Sequence, residues 1–198
     1  DRRGAGPSLP GVRGGGSRVV TREQFEHAVR AAGAVLGISE VLVIGSQALY
    51  ASTETLPAEA SRSIEVDIGV LAGDPERMAD LIDGSIGEAS MFHDTFGYYA
   101  QGVTPGTAVL PDGWRGRLVR FASPATNGVT AWCLEPHDLW IAKAVAGREK
   151  DIEFCRATLR LRLVAPGVLR DRLGTMALDP RVRAVVDGRI GGSSVGAP

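Results

Sequence analysis

Glu65 and Asp67 stand two positions apart in Ile64-Glu65-Val66-Asp67-Ile68-Gly69-Val70. The alternation predicts a strand over 64–70. On a strand both acids share one face, while Ile64, Val66, Ile68 and Val70 share the other. Two carboxylates aimed at one spot repel, and a divalent cation between them turns the repulsion into binding. A solvated strand face has the same pattern, so the spacing alone leaves both readings open.

Upstream, the apolar run Val41-Leu42-Val43-Ile44 stops at Gly45-Ser46. A glycine there lets a ligand approach the backbone. A helix starting just after it would offer backbone N–H groups to phosphate, and Ser46 would add a hydroxyl. The stretch lacks the glycine spacing and the Gly-Lys-Ser/Thr ending of a P-loop. Its plain alternative is a bare strand-to-helix turn.

The third group lies in the segment 136–151. Lys143 sits among Ile141, Ala142, Ala144 and Val145. A lysine in such a helix needs a route to solvent or an anion to hold, and both stay open. Arg148 and Lys150 suit phosphate or RNA contact, or an ordinary charged surface. Asp151 is spaced to hold Lys143, to assist an attacking hydroxyl, or to serve as a helix-surface charge. The three histidines, His27, His93 and His137, have no zinc-ligand spacing. Cys133 and Cys155 lie in apolar contexts and read as reduced core thiols. Trp114, Trp132 and Trp140 are isolated and read as core or rim packing before base stacking.

These groups must be positioned by a scaffold. Thr21 and Gln24 form a capping-box pattern ahead of the apolar stripe Phe25, Ala28, Val29, Ala32 and Leu36, with Gly37 as the C-cap. Strands are expected over 41–44, 64–70, 107–110, 118–121 and 129–134, and a short helix at 47–51. Asp74-Pro75 opens a helix that ends near Gly84 or Gly87. The stretch 91–93 reads as a short strand or loop. Helices follow over 136–146, 148–164, 166–173 and 180–190. The expected fold class is α+β: a small mixed β-sheet with flanking helices and a helical C-terminal part. The expected organisation is a flexible leader 1–18, an α+β core 19–134, a helical region 135–191 packed on it, and a flexible tail 192–198.

The chain has 198 residues, 44% of them apolar, enough for one sizeable core. Its net charge of -1 gives no global attraction to nucleic acid, so any such binding needs a local basic patch. No apolar stretch reaches membrane-spanning length, and no secretory h-region is present. The expectation is a cytoplasmic protein with no membrane partner; oligomeric state is not legible.

Gly45-Ser46 with Glu65-Val66-Asp67 resembles the minimal nucleotidyltransferases of the DNA polymerase β-like superfamily. Lys143, Arg148 and Asp151 bring the chain closer to the nucleotidyltransferase-like toxins of type IV toxin–antitoxin systems and their uncharacterised relatives. The resemblance covers roughly residues 40–154. It implies transfer of a nucleoside monophosphate from an NTP to an acceptor hydroxyl, with Mg²⁺ (or Mn²⁺) as cofactor and pyrophosphate as leaving group. Glu65 and Asp67 would hold the metal. Gly45, Ser46, Lys143 and Arg148 would hold the triphosphate, and Asp151 would be a further catalytic or positioning carboxylate. The resemblance admits RNA (a tRNA 3′ end), a protein hydroxyl or a small molecule as acceptor, and a cognate antitoxin protein as partner.

The chain departs from that pattern at Glu65, where aspartate is commoner, and in a longer loop between Ser46 and Glu65. The strand 118–121, where a third carboxylate is sought, offers Arg120. Two alternatives follow: a catalytically weak or inactive nucleotide-binding or interaction domain of the same fold, and a small-molecule, antibiotic-type transferase. Ser46, Glu65, Asp67 and Lys143 gathered on one cleft would favour an enzyme. Lys143 locked to an acid would favour a binding or structural role. An arginine-lined groove beside the cleft would favour RNA as acceptor.

Overall fold

The computed structural model describes residues 19–58 and 63–192. The leader 1–18 and all of the tail 192–198 except Gly192 lie outside the described residues. Helix α1 (Arg22–Leu36) begins at the expected box. Thr21 Oγ1 accepts from the Gln24 N–H, and Gln24 Oε1 accepts from the Thr21 N–H. Gly37 closes the helix in the left-handed region at φ 66°.

Five strands form one mixed sheet: β1 (Glu40–Val43), β2 (Glu65–Gly69), β3 (Tyr99–Gly102), β4 (Val119–Phe121) and β5 (Thr130–Cys133). Their order is β3-β2-β1-β5-β4. β1 runs antiparallel to β2 and parallel to β5; β2 and β3 are parallel, and β4 and β5 antiparallel. Alternation in β2 works as the sequence predicts. Val66 and Ile68 are fully buried in the core with Phe25, Val29 and Ile82, while Glu65 and Asp67 are only partly covered. α2 (Pro75–Ile86), capped by the Asp74 carboxylate, packs so tightly on β3 that a Cβ on Gly102 would lie 2.1 Å from the Ala79 carbonyl oxygen.

Two expectations fail in the middle of the chain. Residues 91–93 belong to helix α3 (Met91–Phe96), neither strand nor loop. Ser90 caps it by accepting from the His93 N–H, and Gly97 ends it at φ 74°. The strand expected over 107–110 does not form. A 3-10 turn occupies Pro105–Thr107, where Thr104 and Thr107 cap each other and Pro105 has no N–H for a ladder. The strand that does form, β3, lies just before that turn.

The C-terminal helices are α4 (Pro136–Ala146), α5 (Glu149–Arg160), α6 (Pro166–Gly174) and α7 (Pro180–Gly191). Leu139, Trp140, Phe154, Leu169 and Val186 share one apolar core with the sheet. Full burial contributes about 1.5–3 kcal/mol for a leucine- or phenylalanine-sized side chain. The Trp140 indole N–H donates to the Cys155 carbonyl at 3.1 Å and ties α4 to α5. Asp138, in the first turn of α4, does more than complement the helix dipole. It is fully buried and accepts from Arg117 at 2.8 and 3.0 Å and from Arg172 at 2.9 Å. Beside it, His137 Nε2 accepts from the Ala165 N–H, so its Nδ1–H faces Glu135 at 2.6 Å. This network fixes the helix that carries Lys143.

Candidate active site

β1 ends at the Gly45-Ser46 turn, and β2 lies antiparallel beside it, so the two strands bring their functional residues together. The approach is close: a Cβ on Gly45 would sit 2.0 Å from Asp67 Oδ2. Its φ of -84° suits any residue, so glycine is required here for space and not for conformation. A 3-10 helix, Ser46–Ala51, follows directly.

The cavity above this junction has a volume of about 270 Å³. Gly45, Ser46, Glu65, Asp67, Lys143 and Arg148 all line it. Asp151 stands behind the last two. Its carboxylate is fully buried and accepts from Lys143 Nζ at 3.2 Å and from Arg148 at 2.7 and 3.3 Å. Lys143 Nζ also lies 5.1 Å from the centre of the Phe154 ring. Lys143 is thus paired with an acid and exposed to the cleft at once. It does not use the solvent route that its apolar neighbours left open.

The two β2 acids differ. Burial alone would raise the Glu65 carboxyl, but Lys150 and Tyr99 outweigh it and hold Glu65 below the usual range. Lys150 Nζ donates to Glu65 Oε1 at 3.1 Å, and the Tyr99 hydroxyl donates to Oε2 at 3.1 Å. Asp67 is pushed up to about 6, first by burial and then by the Glu65 charge, against the pull of Lys143, Lys150 and Arg148. The Lys150 ammonium therefore already sits as a cation on one of the two carboxylates.

Sequence reasoning missed three features. The neighbour of β2 on its outer side is β3, whereas the 118–121 strand with Arg120 forms the opposite edge of the sheet. The strand expected to offer a third acid is thus remote from Glu65 and Asp67. The strand neighbour of Asp67 is Gln101, which pairs in register with it and lines the cavity. Lys150, whose sequence context suits phosphate or RNA contact or an ordinary surface charge, instead pairs with Glu65, a contact that spans 85 positions and has no local signal. Gln47, just after Ser46, is 1% exposed and also lines the cavity.

The remaining candidates fall outside the cleft. Cys133 and Cys155 are buried, and burial drives both thiols well above their ordinary range. His93 donates its N–H to Ser90 within α3, and its Nδ1 accepts from the Ala89 N–H. His27 meets the Tyr98 hydroxyl at 2.5 Å in an aromatic cluster with Phe92 and Phe96. Among the described residues no three His, Cys, Asp or Glu side chains gather as a ready metal cage. No described helix is long and apolar enough to cross a membrane.

A family model described as "Nucleotidyltransferase of unknown function (DUF6036)" matches residues 24–179. That span runs from α1 to the start of α7 and includes every residue of the cleft. No curated protein and no solved structure matches the chain.

Proposed function

The chain belongs to this nucleotidyltransferase family, and we propose that it transfers a nucleoside monophosphate from an NTP to an RNA hydroxyl, releasing pyrophosphate. The observation that carries this reading is the convergence of Glu65 and Asp67 with Gly45-Ser46 and three cations, Lys143, Arg148 and Lys150, on one cavity. Gly-Ser with acid-x-acid is also what ties the reading to the DNA polymerase β-like superfamily.

The acids fit Mg²⁺. That ion is commonly held by one or two carboxylates plus the substrate's phosphates, without a full protein cage. The raised Asp67 supports this reading: it is buried beside the Glu65 charge, and a cation there would stabilise it, whereas Glu65 already has Lys150. Bound there, the ion would neutralise the triphosphate and stabilise charge developing at the α-phosphate. Ser46 supplies a hydroxyl and Gly45 its backbone at the cavity wall, the missing Cβ leaving room for the Asp67 carboxylate. Lys143 and Arg148 supply charge aimed by Asp151, which acts as a positioning residue, since its carboxylate is spent on both cations and held below its usual range. In the transfer the acceptor oxygen bonds to the α-phosphorus and its proton leaves to solvent. The α–β bridging bond breaks, and pyrophosphate carries away that bond's electron pair.

RNA is favoured over a cationic small molecule by a groove on the far part of the helix that bears Arg148 and Lys150. Arg156, Arg160, Arg162 and Arg189 line it between α5 and α7. Incubation of the protein with Mg²⁺ and each NTP, labelled at the α- or γ-phosphate, in the presence of RNA or protein acceptors tests the reading. Label from the α position on RNA supports it; label only from the γ position, or on protein alone, contradicts it. A weakly active nucleotide-binding domain is the second reading. The Lys143–Asp151 pair and the neutral Gln101 beside Asp67 favour it.

A further inference from the structure

Among the described residues, buried polar side chains are paired, with one exception. Asp138, Asp151, Thr126 and Thr158 all have hydrogen-bond partners. Gln47 has none: both Oε1 and Nε2 are buried without a partner in the described structure. An unpaired buried amide costs free energy that an apolar side chain of the same size would not. Gln47 is nonetheless 1% exposed, and it lines the cleft beside Ser46, Asp67 and Lys143.

We propose that Gln47 determines nucleotide specificity: its side chain, covered in this structure, turns into the cavity when nucleotide binds, and its carboxamide bonds a group of the nucleoside that both donates and accepts, a sugar hydroxyl or a base edge. This inference rests on the NTP reading above. Phosphate oxygens only accept, so they would satisfy Nε2 and leave Oε1 stranded. The cleft already provides for phosphate through Ser46, Lys143, Arg148 and Lys150. A carboxamide presents a donor and an acceptor side by side, the geometry with which glutamine reads a base edge bidentately. Ile44, Leu139, Ala142 and Val145 supply apolar wall to the same cavity, suited to the faces of a sugar or base. Specificity built this way is strong, because a ligand lacking the matching group leaves the amide unpaired.

The test compares wild type with Gln47→Met, which is unbranched and close to glutamine in size, and with Gln47→Leu. Calorimetric titrations with Mg²⁺ use the four NTPs, their 2′-deoxy counterparts and inorganic tripolyphosphate; melting curves are taken without ligand. The variants are expected to melt at or above the wild-type temperature. They should bind the preferred NTP about tenfold more weakly, the loss of one or two hydrogen bonds, while tripolyphosphate binding stays within about twofold, no hydrogen bond to phosphate being lost. If the NTP-to-dNTP difference vanishes in the variants, the sugar hydroxyl is the partner. If the ranking of the four bases flattens, the base edge is. Unchanged NTP affinity, or an equal loss for tripolyphosphate, would overturn the inference. So would unfolding of both variants, which would make Gln47 a structural residue. Wild-type protein that binds tripolyphosphate but no NTP would overturn it as well. Wild type that binds neither ligand would fail the nucleotidyl-transfer reading itself.

Discussion

Asp67, with its carboxyl raised to about 6 by burial and the Glu65 charge, weakens the unliganded fold at neutral pH. A folded-state value above the unfolded one means that the cost is absent below about pH 4, grows as pH rises, and is complete above about pH 6. Its size is on the order of 2 kcal/mol, allowing for the partial opening of the cleft. Asp67→Asn should therefore raise the melting temperature at pH 8 and leave it unchanged near pH 4, while transfer is lost at both. A drop in melting temperature at pH 8 would show that the carboxylate is structurally satisfied. Lys143→Ala works the other way. It strips a partner from fully buried Asp151, and breaking a buried pair costs about 3–5 kcal/mol, lessened here because Arg148 remains on the same carboxylate. Weaker NTP binding should thus come with a lower melting temperature; chemical denaturation separates the two effects.

At the scale of elements, the Gly45 junction sets how β1 meets β2. Gly45→Ala would place a methyl group 2.0 Å from Asp67 Oδ2. The acid or the strand must move, at about 1–3 kcal/mol for overpacking. We expect lower stability and loss of transfer, read by urea unfolding and by label incorporation; full activity in that variant would remove Asp67 from the mechanism. Much of this arrangement is legible in the chain itself. Strict alternation from Ile64 to Val70 makes β2 and its acid face readable, and Thr21 with Gln24 marks the start of α1. β3 is illegible for a physical reason. Tyr99-Ala100-Gln101-Gly102 carries little strand preference of its own and owes its form to pairing with β2. With β3 unread, Gln101 could not be placed in the cleft, nor Tyr99 against Glu65. Helix α3 was readable in principle, from Ser90 as N-cap and Gly97 as C-cap, but its six residues are too few to show a period.

Across the whole molecule, a net charge of -1 means that the proposed RNA acceptor would have to be drawn by local arginines. The arginine-lined groove along α5 and α7 would supply that attraction, and it shares α5 with the cleft. Replacing both Arg156 and Arg162 by glutamate should cut RNA labelling and flatten its dependence on salt, by about one unit of log–log slope per lost phosphate contact. NTP binding should be unaffected. Equal loss of NTP binding would mean that the groove serves the nucleotide. Contacts of this kind, like that of Lys150 with Glu65, join residues far apart in sequence and exist only once the fold is made.

The most direct measurement is incorporation of α-labelled NMP into RNA at pH 8, with Mg²⁺ and with Mg²⁺ removed by chelation, by wild type and by Asp67→Asn. Label is expected with wild type and Mg²⁺ alone, with a loss of at least about 100-fold in the variant, the scale seen when a group stabilising transition-state charge is removed. The variant should still melt cooperatively. Label that survives in folded Asp67→Asn protein, or that is indifferent to chelation, would contradict the proposed transfer mechanism.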